Sequence, residues 1–408
     1  MLATLIPLFD ENLMVKAYSC FTQKKNYFLS PESQGTGVFD GVGQIAGLEV
    51  LQTMGIETLS DSAEVFVPVN NISILADLES QCDAPHERLV LLMDDTVAPT
   101  EMYVKRLKEL KREGYKLAIR KLSVHNFEEY KTILSLLDYV ILDHKRIDIS
   151  KARIYFTKLY PNISLCAGNI QTMEIFQRLK WEGGYQLYEG EFYRVPVSNS
   201  DQEIVPLRVN YIQLLNTVNN NDFELTQAAD IISKDTALVI SLLKMVNRMA
   251  RNSEITSIRH AAAMLGQKEL KRWINTAVAN ELYADKPSEV TRLSLLRARF
   301  AENLAPIFNL RAQASELFLM GLFSVLDVIL EKTMEEALQI VQVSKEIKEA
   351  LINKEGKFGP VLDFMTNYEN ANWQEVSRQM VLLDLSMDSV YQAYMGALQW
   401  YRELMMGE

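Results

Sequence analysis

Short apolar runs alternate with amphipathic stretches through the first half of the chain. Runs at residues 5–9, 14–21, 65–69, 89–93, 116–122, 139–143 and 163–167 read as strands. Helical periodicity at 100–113, 126–136 and 172–182 falls between several of them. Strands alternating with helices make parallel sheet, and seven or eight such units in roughly 200 residues predict a (β/α) barrel. The stretch 24–43, rich in Gly, Ser and Pro, reads as a loop.

After a polar stretch at 198–202 the strand signals stop. Helical patterns follow at 223–233, 236–250, 268–282, 288–308, 312–330, 333–340, 345–351, 361–368, 373–383 and 387–406. A further one opens after Thr256-Ser257, good N-cap types, and stops near Gly266. In the helix at 236–250, Leu238, Leu242, Met245, Val246 and Met249 share one face. The fold class expected is therefore multidomain, α/β followed by all-α. The TIM-type barrel takes residues 1–198 and the helical domain 199–408.

Composition adds limits. A hydrophobic content of 48% against 23% charged residues leaves enough apolar surface for a sizeable core. A net charge of −11 argues against sequence-independent binding of nucleic acid. Cys20, Cys82 and Cys166 make no CxxC pair and no disulfide framework, which suits a reducing cytoplasm. Asp10 and Glu11 interrupt the apolar N-terminus, and no run of about 18 apolar residues is available to span a bilayer. No membrane contact and a cytoplasmic location are expected.

Several segments in order resemble EAL domains, the cyclic di-GMP phosphodiesterase barrels. They are Pro7-Leu8-Phe9-Asp10 followed by Ala17-Tyr18, then Gly114-Tyr115-Lys116-Leu117-Ala118, Tyr139-Val140-Ile141-Leu142-Asp143 and Tyr188-Glu189-Gly190-Glu191-Phe192-Tyr193. The resemblance implies two divalent cations held by carboxylates and an Asn, with a Lys and a Glu nearby. Here the name-giving Glu falls at Ser19, the metal-binding Asn at Pro68 and the next strand's Glu at Leu92. The Asp-Asp pair falls at Arg120-Lys121 and the catalytic Lys at Ile141. The following Glu-Lys falls at Gly168-Asn169, and a further Glu at Gln171. Asp143 keeps the family's residue, and Glu189 stands where the family has Gln. Hard cations need convergent oxygen ligands, so a site this depleted is expected to hold no metal and to be degenerate. Asp94, Asp95, Asp143, Glu189 and Glu191 could instead form an unrelated acidic site, although strand-end carboxylates are more often solvated. Arg120 and Lys121 either bind a phosphate directly or pair with Asp143 or Asp95 and neutralise the mouth; pairing is the expected outcome.

The second half resembles the HDOD domain. The residues are Asp235 with spaced leucines and Asn247, the run from Ile255 to Gly266 followed by Glu269-Leu270, and the run from Phe318 to Asp327. HDOD domains resemble HD phosphohydrolases without their metal ligands, and His260 is the sole histidine of this half. Asp327 is expected to face solvent or to pair with a helix. Arg259, Lys268, Lys271, Arg272, Arg292, Arg297 and Arg299 read as wet helix faces, and Trp273 as half-buried core. Together the two resemblances imply a protein that is no enzyme and has no cofactor. It would act by contact with unidentified signalling proteins in a cyclic di-GMP-linked or related pathway, such as motility or surface attachment. Cyclic di-GMP is expected to bind weakly or not at all. Two alternatives stay open: a sensor that binds cyclic di-GMP without cleaving it, and a divergent metal-dependent phosphodiesterase. The oligomeric state is not legible in the sequence.

Overall fold

Eight strands close a barrel in sequence order: β1 Leu2–Phe9, β2 Val15–Gln23, β3 Glu64–Pro68, β4 Leu89–Met93, β5 Lys116–Ile119, β6 Tyr139–Asp143, β7 Ser164–Ile170 and β8 Leu187–Gly190. The computed structural model describes residues 1–29, 43–195, 206–220, 223–249, 255, 257–282, 288–341 and 343–406. Most of the expected loop at 24–43, the expected domain boundary at 198/199 and the N-cap Thr256 lie outside these residues.

The sheet departs from the all-parallel expectation at one place. β1 runs antiparallel to both β2 and β8, and every other neighbouring pair is parallel. A parallel pairing needs a crossover of a dozen or more residues, and the link between Phe9 and Val15 is too short for one. Asp10 fixes the tight turn: its carboxylate accepts the N–H groups of Asn12 at 2.8 Å and Met14 at 3.0 Å, and Leu13 takes a left-handed φ of 62°. Helices α1 Ala46–Met54, α2 Ile56–Ser60, α3 Glu101–Arg112, α4 Lys131–Leu134, α5 Ile149–Leu159 and α6 Met173–Glu182 lie between the strands. The helix expected at 126–136 shrinks to α4 after a 3₁₀ turn at Val124–Asn126. Alternation sends one face of each strand inward, where Leu8, Ala17, Phe66, Leu92, Ile141 and Cys166 fill the interior.

The rest of the chain is helical: α7 Pro206–Asn219, α8 Leu225–Ile232, α9 Thr236–Met249, α10 Ile258–Leu282, α11 Ser288–Leu304, α12 Ala314–Phe323, α13 Leu326–Leu330, α14 Met334–Ile340, α15 Lys345–Asn353, α16 Gly359–Glu369, α17 Trp373–Leu382 and α18 Met387–Met406. Gly266 kinks α10 with a left-handed φ of 72°, where the sequence places a helix end. Asp235 opens α9 by accepting the Leu238 N–H at 3.0 Å and the Tyr211 hydroxyl at 2.8 Å. Asn247 holds both backbone groups of Ile255, donating to its carbonyl at 2.9 Å and accepting its N–H at 2.6 Å. These two residues of the motif are thus structural. Gly321 of α12 lies so close to α11 that a Cβ there would stand 2.3 Å from the Arg297 carbonyl oxygen.

The chain divides into two compact units. One unit is Met1–Val195 with Pro306–Leu310 and Asp363–Glu408; the other is Pro196–Ala305 with Arg311–Leu362. The last helices thus belong with the barrel. The physical reason is an edge. β1 pairs with β2 along its length but with β8 only at Leu8 and Phe9. The fully buried Tyr368 covers the edge so left: its hydroxyl donates to the Ala3 carbonyl at 2.9 Å and accepts the Ala3 N–H at 3.3 Å. Thr4 donates to the Tyr394 hydroxyl at 3.2 Å, and Gln23 donates to Ser377 at 2.8 Å.

In α9, Leu238, Leu242 and Val246 are buried, Met245 is half-buried and Met249 is exposed. Leu242→Ala is expected to cost about 2–5 kcal/mol. The exposed Lys244→Ala should cost less than roughly 0.5 kcal/mol. Urea midpoints measure both, and equal midpoints would refute this register.

Candidate functional site

The C-terminal ends of the parallel strands open into one mouth, the face on which barrels of this kind place their functional groups. Alternation along β2 puts Ser19 and Phe21 on the same face as the interior Ala17. Arg120 follows β5, held there by its N–H, which donates to the Met93 carbonyl at 3.0 Å. Its guanidinium lies 5.0 Å from the centre of the Phe21 ring, and Nη2 stands 3.8 Å from Glu189 Oε1. Lys121 takes a left-handed φ of 64° and places Nζ 3.4 Å from Asp94 Oδ2. Asp143 ends β6 and accepts from Asn169 Nδ2 at 3.0 Å and from the Lys145 N–H at 2.9 Å.

The remaining expected positions are not polar groups at this mouth. Leu92 and Ile141 belong to the apolar interior. Gly168 is buried, and a Cβ on it would meet Ile141 Cγ2 at 3.0 Å, so the isoleucine fills the space a side chain at 168 would need. Pro68 pairs across to Leu92, and Gln171 is exposed. The structure thus brings together Phe21, Arg120, Glu189 and the underlying Cys166, with Lys121, Asp94 and Asp143 in two separate pairs. The expected pairing of Arg120 and Lys121 with Asp143 or Asp95 is corrected: the partners are Glu189 and Asp94. The staggered strand order decides which ends meet, and spacing along one chain does not report it. Phe21 escaped the sequence reading, although period-two alternation from Ser19 would have placed it on the same face.

Burial pushes the Glu189 carboxyl above its ordinary range, Arg120 pulls it down, and Asp143 pushes it up again. Burial would likewise raise Asp94, but hydrogen bonds from Thr96 and the charge of Lys121 leave it lowered. Cys166 is raised well above the usual thiol value by burial and then by Glu189, and Cys20 is pushed up to about 12 by burial, so both stay thiols rather than thiolates. Three buried polar atoms of the mouth lack a hydrogen-bond partner: Ser19 Oγ, Arg120 Nη1 and Glu189 Oε2.

The two-metal arrangement of EAL domains does not fit these residues. No group of three His, Cys, Asp or Glu side chains among the described residues could hold a metal ion. Asp94 and Asp143 already have partners, and a guanidinium stands beside Glu189.

In the helical unit Arg259 and Lys268 are exposed as their spacing suggests, but two other basic residues are not. Arg292 is buried against Glu289 at 2.8 Å, and the buried Arg297 donates to Ser324 Oγ at 3.1 Å. For Arg292 the carboxylate three residues away offsets the burial, and helical spacing alone cannot tell this from a wet face. Asp327 is not solvent-facing: burial raises its carboxyl, while hydrogen bonds from backbone N–H groups and the charge of Arg297 lower it. Trp273 is half-buried. No helix among the described residues is long and apolar enough to cross a membrane.

The pattern of the family described as the HDOD domain matches residues 204–358. This stretch is an HDOD domain. The eight-stranded barrel that precedes it resembles EAL domains. The Cyclic di-GMP phosphodiesterase CdgJ of Vibrio cholerae is 27% identical over 325 residues, 78% of this chain and 74% of that protein. The Bacillus subtilis protein YuxH is 27% identical over 362 residues, 86% of this chain and 87% of that protein. The c-di-GMP-bound crystal structure of a standalone versatile EAL protein from Vibrio cholerae O395 is 15% identical with a TM-score of 0.35, covering 47% of this chain and 90% of that one.

These findings correct one expectation. The reading that the chain is no enzyme is overturned by a relative, alike over 78% of this chain, that is named a phosphodiesterase.

Proposed function

We propose that this chain is a cyclic di-GMP signalling protein that meets the dinucleotide at the mouth of its barrel and passes the signal on by protein contact. The observation that carries the reading is the Arg120 guanidinium. It is held on the Phe21 ring and pairs loosely with Glu189 at 3.8 Å, and its Nη1 has no hydrogen-bond partner. Guanidinium presents a planar fork that fits phosphate oxygens. Lys121, half-exposed, adds a second cation. The name of CdgJ supports the choice of ligand. It also favours a second reading, in which the bound dinucleotide is cleaved. No step is assigned to a metal, because the residues do not fit one.

Calorimetry with cyclic di-GMP, with and without Mg²⁺ and Mn²⁺, tests the proposal, and chromatography of the same mixtures reads cleavage. Saturable binding is expected, weakened at least tenfold in the Arg120→Ala/Lys121→Ala variant. A linear dinucleotide product would establish the second reading. Absence of binding in every buffer would sink the first.

A further inference from the structure

We infer that Arg120 is the resident cation of this mouth, so that phosphodiester anions bind it without a metal ion and in competition with Glu189. The inference rests on the proposed binding of cyclic di-GMP and goes on to name what holds the phosphate and what opposes it.

Three facts lead there. The first is occupancy of the carboxylates. A divalent cation needs several convergent oxygens, and two of the acidic groups at the strand ends are already engaged. Asp94 accepts from the Thr96 N–H at 3.1 Å and the Thr96 hydroxyl at 2.6 Å and faces Lys121. Asp143 accepts from Asn169 and from the Lys145 N–H. The third, Glu189, faces a fixed positive charge, and a metal placed beside it would be repelled by that guanidinium.

The second is the state of the Arg120–Glu189 pair. At 3.8 Å it is an ion pair without a hydrogen bond between the two atoms. Nη1 of Arg120 and Oε2 of Glu189 are both buried and both unpartnered. A buried donor and a buried acceptor left unsatisfied on two paired residues mark a place that another molecule, water or ligand, completes. Ser19 Oγ, fully buried and also unpartnered, lies on the inward face of β2 below Phe21.

The third is rigidity. The Arg120 backbone is tied to the end of β4 through Met93, the left-handed Lys121 follows at once, and the Phe21 ring supports the guanidinium. A guanidinium fixed in this way loses little freedom when it takes up a phosphate, which is the advantage of a preorganised site. Glu189 is then the internal anion that a phosphate must displace. Its carboxylate repels the ligand and occupies one side of the fork.

The test is titration of the full-length protein with cyclic di-GMP, in EDTA and in Mg²⁺, for the wild type, Arg120→Ala, Arg120→Lys and Glu189→Gln. Wild-type affinity is expected to agree within about twofold between the two buffers. Arg120→Ala should lower it at least tenfold, and Arg120→Lys should recover part of the loss, because charge returns without the fork. Glu189→Gln keeps the shape, removes the competing charge and should tighten binding several-fold. Manganese binding to the protein alone, followed by electron paramagnetic resonance, should show no saturable site that Asp143→Asn abolishes. Binding that requires Mg²⁺, or a manganese site that Asp143→Asn removes, would overturn this inference and leave the proposed function standing. Binding that Arg120→Ala leaves unchanged, or that Glu189→Gln weakens, would overturn it as well. No binding in either buffer by wild type or Glu189→Gln would overturn both.

Discussion

A chain ending at Leu362 is expected to lose the protection of β1 and the cooperative unfolding of the barrel. The reason is the number of barrel groups that Asp363–Glu408 satisfies. Tyr368 bonds both backbone groups of Ala3, and each buried backbone group left without a partner costs about 1–3 kcal/mol. Three residues at and just after the end of β2 bond to one residue of α17: Ser377 accepts from Gln23, its carbonyl accepts Asn26 Nδ2 at 3.0 Å, and its hydroxyl accepts the Tyr27 N–H at 3.4 Å. Beyond β8, Arg194 pairs with Glu369 at 3.6 Å and donates to Asn370. Around α2, Arg402 donates to Thr58 at 3.0 Å. Tyr368 also packs its ring on Tyr394 at 4.9 Å and on Trp373 at 5.4 Å, an aromatic cluster that truncation removes whole. Hydrogen exchange followed by mass spectrometry reads the outcome. The peptide containing Ala3 should exchange near the unprotected rate in the shortened chain. In Tyr368→Phe, which keeps the ring and loses the hydroxyl, it should exchange faster than in wild type while the rest of the barrel stays protected. If the shortened chain protects this peptide as well as the intact chain does, the last helices are not part of the barrel unit.

The sequence could not show that connection. Residues 363–408 have the same apolar periodicity as the helices before them, and periodicity reports that a helix has a buried face, not which partner buries it. By contrast β4 and β6 stand where their apolar runs end, because strand length there is written in Leu89–Met93 and Tyr139–Asp143 themselves. The kink at Gly266 was legible for the same local reason, since a left-handed backbone favours glycine. The site was legible residue by residue but not as an arrangement. Ile141 and Gly168 read as two separate replacements, yet the Ile141 branch methyl would lie 3.0 Å from a Cβ at 168, so the pair is one packing solution. Arg120 stands out in the sequence as a cation, but its partner does not, because Glu189 reaches it across the barrel from β8.

Gly190→Ala is expected to destabilise the barrel by about 3 kcal/mol or more and to separate Glu189 from Arg120. Gly190 stands where β7 and β8 slip out of register, paired with Ile170 after a shift beyond Ala167. Its φ is 154°, and an added Cβ would lie 1.9 Å from the Ile170 carbonyl oxygen and 2.6 Å from its nitrogen. Those are backbone atoms of a neighbouring strand, so no side-chain rotation relieves the clash, and β7 and β8 must part. Glu189 is the preceding residue and its pairing with Leu8 sets the last contact of β1 with β8, so the same movement reaches both the ion pair and the barrel closure. Gly183→Ala supplies the control. Its φ is 68° with ψ 176°, a conformation that favours glycine, but a Cβ there meets nothing within 4 Å, so only backbone strain of roughly 1–3 kcal/mol is added. Urea unfolding of the two variants separates strain from collision. A Gly190→Ala midpoint no lower than that of Gly183→Ala would mean that β7 and β8 do not approach as closely as described, and that Glu189 owes its place at the mouth to something other than this glycine.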